Sequence, residues 1–323
     1  MRLVILGAGA IGGVVGGLLA DAKRDVLLLA RGAHLDAIRR DGLRVETPDQ
    51  TFTVYAPVAD SRAAVDWRSD DVVLLATKTQ DAALALAELA PPPSVPVVCL
   101  TNGVEAERIA LRQVRHVYGA YVAMPATYLS PGVVQAWASP VPGVIDLGSY
   151  PDGLGEHAHE VAGELGAAGF ACEVRPNIMK WKRGKLLSNL ANGAEALCGP
   201  PARNSELAAR ARAEARECFS AAGLSCTTDA EDAARRTGYV SRSIGAETRE
   251  GGSTWQSLVR GATRLETDYL NGEIAMLGRL HGVSTPVNEA LQVLAAEAAR
   301  MNHPPGSMSI EELIARVDAF AAR

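Results

Sequence analysis

A chain of 323 residues exceeds one ordinary core and falls short of three, so two domains are expected. With 48% hydrophobic but only 5% aromatic residues, the core must come mainly from alanine, leucine and valine, a composition that favours helix. A formal charge of -5, from 32 basic and 37 acidic residues mixed along the chain, excludes the basic stripe that nucleic-acid backbones require.

In chain order, short β-branched or leucine-rich runs alternate with helical stretches, as in βαβ units around a parallel sheet. Strands are expected at Arg2–Leu6, Asp25–Ala30, Val72–Thr77, Val95–Leu100 and His116–Val122, with helices such as Ala10–Ala22 and Asp81–Ala90 between them. Leu43–Val45 and Thr51–Tyr55, split by Thr47-Pro48-Asp49-Gln50, suggest a side hairpin. From Tyr128 to Leu147 the Gly/Pro punctuation points to antiparallel strands, followed by a helix at Leu154–Ala168 and a strand at Phe170–Val174. After Arg175-Pro176-Asn177 helical periodicity takes over. Helices are expected at Ile178–Cys198, Ser205–Ala222, Thr228–Thr237, Leu265–His281, Pro286–Met301 and Ser309–Ala322, with Gly223 and Gly282 as C-terminal caps. The expected fold is therefore an α/β Rossmann-type domain over residues 1–176, followed by an all-α domain over 177–323.

Five scattered cysteines without a C-x-x-C pair fit reduced thiols and a cytoplasmic location. No apolar run suits a signal peptide or a membrane span, so no membrane association is expected. His157 and His159 stand two apart on an expected helix and diverge, so no metal is predicted.

Directly after the first strand and before the first helix stands Gly7-Ala8-Gly9-Ala10-Ile11-Gly12, a G-x-G-x-x-G loop in the context a dinucleotide requires. Gly7 permits the turn, Gly9 lets backbone approach a pyrophosphate, and Gly12 lets the helix pack on the strand. The helix N-terminus offers its amides and dipole to the phosphates. Where NAD enzymes end the second strand with an acid for the ribose hydroxyl, this chain has Arg31. A guanidinium there suits a 2'-phosphate, so NADP(H) is the expected cofactor.

Further pieces follow in order: Ala76-Thr77-Lys78-Thr79, Thr101-Asn102-Gly103-Val104, Trp181-Lys182-Arg183-Gly184-Lys185-Leu186-Leu187-Ser188-Asn189, Ser253-Thr254-Trp255-Gln256, Glu266-Thr267-Asp268-Tyr269-Leu270-Asn271-Gly272-Glu273 and His281-Gly282-Val283-Ser284-Thr285-Pro286-Val287-Asn288. With the glycine loop, this ordered set resembles the ketopantoate reductase family (2-dehydropantoate 2-reductases) over nearly the whole chain. The resemblance implies a Rossmann domain joined to a helical domain, an active site in the cleft between them, and hydride transfer from NADPH to the ketone of a 2-oxo acid.

Such a reduction places negative charge on oxygen and needs a cation or proton donor there. Lys185 matches the family's catalytic lysine, and Asn189, one turn on, shares its helix face and can bind the substrate. Glu266 corresponds to the family's active-site glutamate, which positions the substrate hydroxyl or holds Lys185 charged; its plainer role is a carboxylate at a helix N-terminus. Asn102 and Lys78 lie at the strand ends where such ligands bind. Asn102 would serve the nicotinamide ribose or orient the lysine, and Lys78 the cofactor phosphate or the substrate carboxylate. Ser253 suits the substrate carboxylate or simply a helix cap.

The family pattern breaks in three places. The asparagine expected eight positions after the lysine is replaced by Gly193, with Asn192 just before it, a shift of about 100° on one continuous helix. Gln256 is followed by Ser257 where the family has an acid, and Trp255 replaces a smaller residue. The expected reaction is reduction of 2-dehydropantoate to pantoate. Alternatives are a different 2-oxo acid or a non-catalytic NADP-binding protein. A homodimer is left open.

Overall fold

The computed structural model describes residues 1–61, 63 and 65–322. It comprises two compact units, Met1–Lys182 with Thr228–Arg249, and Arg183–Thr227 with Glu250–Arg323.

The first unit is built on β1 (Arg2–Leu6), α1 (Ala10–Asp21), β2 (Val26–Ala30), α2 (Gly32–Asp41), the hairpin β3 (Leu43–Glu46) and β4 (Thr51–Val54), then β5 (Val58–Asp60), β6 (Asp71–Leu75), α3 (Thr79–Leu89), β7 (Val97–Cys99), α4 (Ala106–Leu111) and β8 (Val117–Ala123). Short strands β9 (Ala126–Thr127), β10 (Val133–Ala136) and β11 (Ala138–Pro140) lead to β12 (Val144–Ser149), α5 (Ala158–Ala167) and the first turns of α6 (Ile178–Asn189). The main sheet runs β12-β8-β7-β6-β1-β2-β5. Its six strands from β5 to β8 are parallel, whereas β12 is antiparallel to β8. Numbered along the chain, the parallel strands lie 3-2-1-4-5-6, the Rossmann order.

Strand β1 is buried on both faces because it is central. Leu3 and Ile5 pack with Val14, Val15 and Leu19 of α1, whereas Val4 and Leu6 pack with Leu86 of α3 and Ala106 and Ala110 of α4. The period-two alternation of one apolar run thus divides it between two cores. The expected hairpin is present, and with β10 and β9 it forms a second sheet, β4-β3-β10-β9.

Among the elements that escaped the sequence are β5 and α2. β5 is three residues long, too short for a pattern, and α2 is largely polar apart from Leu35 and Ile38. The strand expected at Phe170–Val174 makes only isolated bridges, Val144 to Ala171 and Leu147 to Val174. The helix expected from Leu154 begins at Ala158.

The expected helix Ile178–Cys198 is broken into α6 and α7 (Asn192–Cys198). Asn271 Nδ2 donates to the Leu190 carbonyl at 3.1 Å, satisfying a C-terminal acceptor where α6 stops. α8 (Glu206–Ala221) starts at Ser205, whose Oγ accepts from the Ala208 amide. The chain then returns to the first unit as α9 (Asp229–Arg235), capped by Thr228 and Glu231, and β13 (Tyr239–Ser241), which pairs with β11. Arg235 donates to buried Asp146 at 2.6 and 2.8 Å, and Tyr121 Oη donates to Asp232 at 2.7 Å. These bonds tie Thr228–Arg249 to the first unit, although it lies beyond residue 176 in the chain.

The second unit closes with α10 (Ser253–Val259), a 3-10 turn at Glu266–Tyr269, α11 (Asn271–His281), α12 (Pro286–Arg300) and α13 (Ile310–Ala321). The helix expected to run from Leu265 to His281 is interrupted at Leu270. Buried Asn288 ties α12 to α8 through the Ala211 carbonyl and Glu214. Among the described residues no helix is long and apolar enough to cross a membrane.

Candidate functional site

In the first unit, the glycine loop lies between β1 and α1, beside the loop that follows β6. Chain order in the sheet reverses at this β1/β6 pair, the place where doubly wound sheets bind ligands. Each glycine meets a different demand. Gly7 has φ +101°, and a Cβ there would lie 2.9 Å from Thr77 Cγ2. A Cβ on Gly12 would lie 2.2 Å from the Gly7 carbonyl and 2.8 Å from Ala76 Cβ, so helix and strands close only over hydrogen. A Cβ on Gly9 would meet nothing within 4 Å. Gly9 is thus not required by protein packing, and its bare backbone faces open space at the N-cap of α1, where no side chain caps the amides. The cradle has the chemistry a pyrophosphate needs: Ala8, Gly9, Ala10 and Ile11 would offer it backbone, and the positive end of α1 would face it.

Lys78 caps α3 at the end of β6, and Asn102 follows β7. Thr79 Oγ1 donates to the Asn102 carbonyl at 3.3 Å, so the two loops are joined. Arg31 ends β2, where its guanidinium bonds Ser61 Oγ and pairs with Glu88 of α3. Lys182 is almost wholly buried. It pairs with Glu107 at 2.7 Å and donates to the Thr101 carbonyl at 2.9 Å, anchoring the loop that carries Asn102.

In the second unit, Lys185 and Asn189 stand one turn apart on α6, the lysine half-buried and the asparagine buried. Glu266 is buried on its 3-10 turn rather than exposed at a helix start. The space in front of Gly193 is bounded by Thr267 Cγ2 at 3.7 Å and Asn271 Oδ1 at 3.6 Å, which brings the Glu266 turn against the start of α7. Because α6 and α7 are separate helices, the offset of one continuous helix does not apply to Asn192. Its Nδ2 instead lies 3.5 Å from Ser253 Oγ, uniting two of the expected substrate residues.

The same spot holds a cluster the sequence did not suggest. Arg203 donates to Asn192 Oδ1 at 2.9 Å and to buried Glu195 at 2.6 Å, beneath Gly252, where a Cβ would come within 2.5 Å of Glu195. Ser253 begins α10 without capping it, Ser257 Oγ donates to the Ser253 carbonyl, and Trp255 covers Gly251.

Four of the five cysteines have thiols shifted towards the neutral form. Burial is the main cause, pushing Cys172 up to about 12 and Cys198 and Cys218 to about 11, with Cys99 also raised. These four therefore offer no thiolate for nucleophilic chemistry.

Comparison with known proteins gives the site a lineage. The profile of "Ketopantoate reductase PanE/ApbA" matches residues 3–152 and that of its C-terminal domain residues 177–299. A 2-dehydropantoate 2-reductase of Archaeoglobus fulgidus is 32% identical over 301 residues, covering 90% of this chain and 95% of the relative. One from Pyrococcus horikoshii is 34% identical over 194 residues, a match that spans 59% of this chain and 62% of that protein. The crystal structure of a PanE/ApbA family ketopantoate reductase from Ralstonia eutropha superposes with a TM-score of 0.78 at 29% identity, covering 94% and 99% of the two chains. With both of its domains matched in order, this chain belongs to the PanE/ApbA ketopantoate reductase family.

Proposed function

We propose that the chain is an NADPH-dependent reductase that converts a 2-oxo acid to a 2-hydroxy acid, with 2-dehydropantoate to pantoate as the first candidate. The observation that carries this reading is the conjunction, in a member of this family, of an open glycine cradle at the β1/β6 switch point with Lys185 and Asn189 on one face of α6. The Rossmann unit would hold the cofactor and the helical unit the acid. When bound, the nicotinamide supplies a hydride to the carbonyl carbon. The Lys185 ammonium would polarise the carbonyl oxygen and give it a proton as the C–H bond forms, then regain one from solvent. Asn189 would hold the acid by hydrogen bonds and Glu266 would orient the hydroxyl or the lysine. Arg31 supports NADP over NAD, its contact with Glu88 being one that a 2'-phosphate would replace. Free thiols and reductase chemistry together suit the cytoplasm.

A second reading, reduction of a different 2-oxo acid, is favoured by the Arg203–Asn192–Ser253 cluster and by Gly193, which alter the surroundings of the expected acid site. NADPH oxidation across a panel of 2-oxo acids, with 2-dehydropantoate included and NADH as control, separates the two. Turnover confined to a bulkier acid would replace the first substrate, and no turnover with any would leave a binding protein. A preference for NADH would remove the role given to Arg31.

A further inference from the structure

His34, the third residue of α2, is buried, and both of its ring nitrogens are engaged. The Gly132 amide donates to Nδ1 at 2.9 Å, and Nε2 lies 2.7 Å from the Ala8 carbonyl. An amide can only donate and a carbonyl can only accept, so Nδ1 must carry the lone pair and Nε2 the hydrogen. The ring is therefore neutral and fixed in one tautomer. Burial, which lowers its pKa, acts in the same direction.

The consequence lies in the peptide that His34 holds. Ala8 is the second residue of the glycine loop, and its own amide donates to the Leu29 carbonyl of β2 at 3.0 Å. Ala8 is thus gripped on both sides, its N–H by the sheet and its C=O by His34. In a planar trans peptide the C=O of one residue and the N–H of the next point in opposite directions. Turning the Ala8 carbonyl towards His34 therefore turns the Gly9 N–H away from it, on the residue whose Cβ position is open. The anchor behind the ring is firm: the Gly132 carbonyl accepts from the Arg44 amide of β3 at 2.9 Å, and Gly132, with φ +79°, lies against Ala37. The small second sheet is thereby linked to the glycine loop through one imidazole.

We propose that His34 is a positioning residue that orients the Ala8–Gly9 peptide and so aims the Gly9 amide at the dinucleotide pyrophosphate. This rests on the cofactor reading above. Two substitutions separate orientation from general support. In His34→Gln the side-chain amide can reach the Ala8 carbonyl but not Gly132; in His34→Asn the shorter amide can reach Gly132 but not Ala8. Each variant keeps one of two hydrogen bonds, so a purely structural role predicts equal losses.

The test is NADPH titration by nicotinamide fluorescence, with melting temperatures and steady-state kinetics on the same preparations. We expect similar melting temperatures for the two variants, wild-type-like NADPH affinity in His34→Gln, and a Kd about tenfold higher in His34→Asn, the size of one hydrogen bond to a charged group. KM for NADPH should rise with it while kcat at saturation and KM for the acid stay within about twofold. Equal NADPH affinity in the two variants, or weaker binding in His34→Gln, overturns the inference. Wild-type protein that binds neither NADPH nor NADH overturns the cofactor reading instead.

Discussion

The two ends of the proposed reaction are built by different means. The cofactor cradle is made of backbone: three glycines, a strand end and a helix start, placed by a sheet whose order leaves one switch point. The proposed acid site would be made of side chains on α6, α7, α10 and the 3-10 turn, and several of its polar groups already hold one another. Backbone sites allow few sequences, because a Cβ 2.2 Å from a carbonyl has no remedy. Side-chain sites allow many, because one asparagine can be exchanged for another from a neighbouring turn. A family can therefore keep its nucleotide while changing its acid.

That contrast can be broken at several points. The largest effect should come from Lys185→Ala, with kcat lower by about 10²- to 10⁴-fold and NADPH affinity within about twofold of wild type, by stopped-flow and fluorescence titration. Unchanged NADPH oxidation would end the assigned chemistry. Arg31→Ala should lower the NADPH-over-NADH preference by about ten- to a hundredfold, read as the ratio of kcat/KM values. An unaltered ratio would assign the preference elsewhere.

The glycines sharpen the comparison by separating fold from ligand. Gly12→Ala should destabilise the protein by about 1–3 kcal/mol in urea unfolding, because its Cβ meets backbone. Gly9→Ala should leave stability within about 0.5 kcal/mol and weaken NADPH roughly tenfold. Equal melting behaviour in both would mean that Gly9 is structural too. On the acid side, Arg203→Ala should raise KM for the acid by about tenfold with little change in KM for NADPH, since it frees Asn192 and leaves Glu195 buried without its cation. The smallest effect concerns pH. His34 titrates below its ordinary 6.5, because burial opposes the charged ring. Its contribution to stability is therefore full above about 6.5 and lost as pH falls through the lowered value, so wild type should lose more urea resistance than His34→Gln between pH 7 and 5.

What could be read in advance follows the same division. β1, α1, β2 and the glycine loop were legible because period-two burial and obligatory glycines leave marks within a dozen residues. Lys185, Asn189 and Glu266 could be nominated only through a match of ordered motifs. Arg203 and His34 were not legible at all. Each acts on groups distant in sequence, Gly132 lying 98 residues from His34, and neither sits in a local pattern. The break between α6 and α7 was hidden for a related reason: the amide that satisfies Leu190 comes from Asn271, 81 residues later.

The returning segment Thr228–Arg249 has a consequence for how the chain is made. Asp146 is fully buried with Arg175 beside it, but its second guanidinium, from Arg235, is synthesised 89 residues later. A nascent chain that ends near residue 176 holds a buried carboxylate with only one of its two guanidinium donors and lacks the strand that pairs with β11. The first unit can therefore complete its contacts only once Arg249 has been synthesised, and the second only once Glu250 onward follows. An expression fragment cut at the apparent domain border would stop short of its own last ion pair.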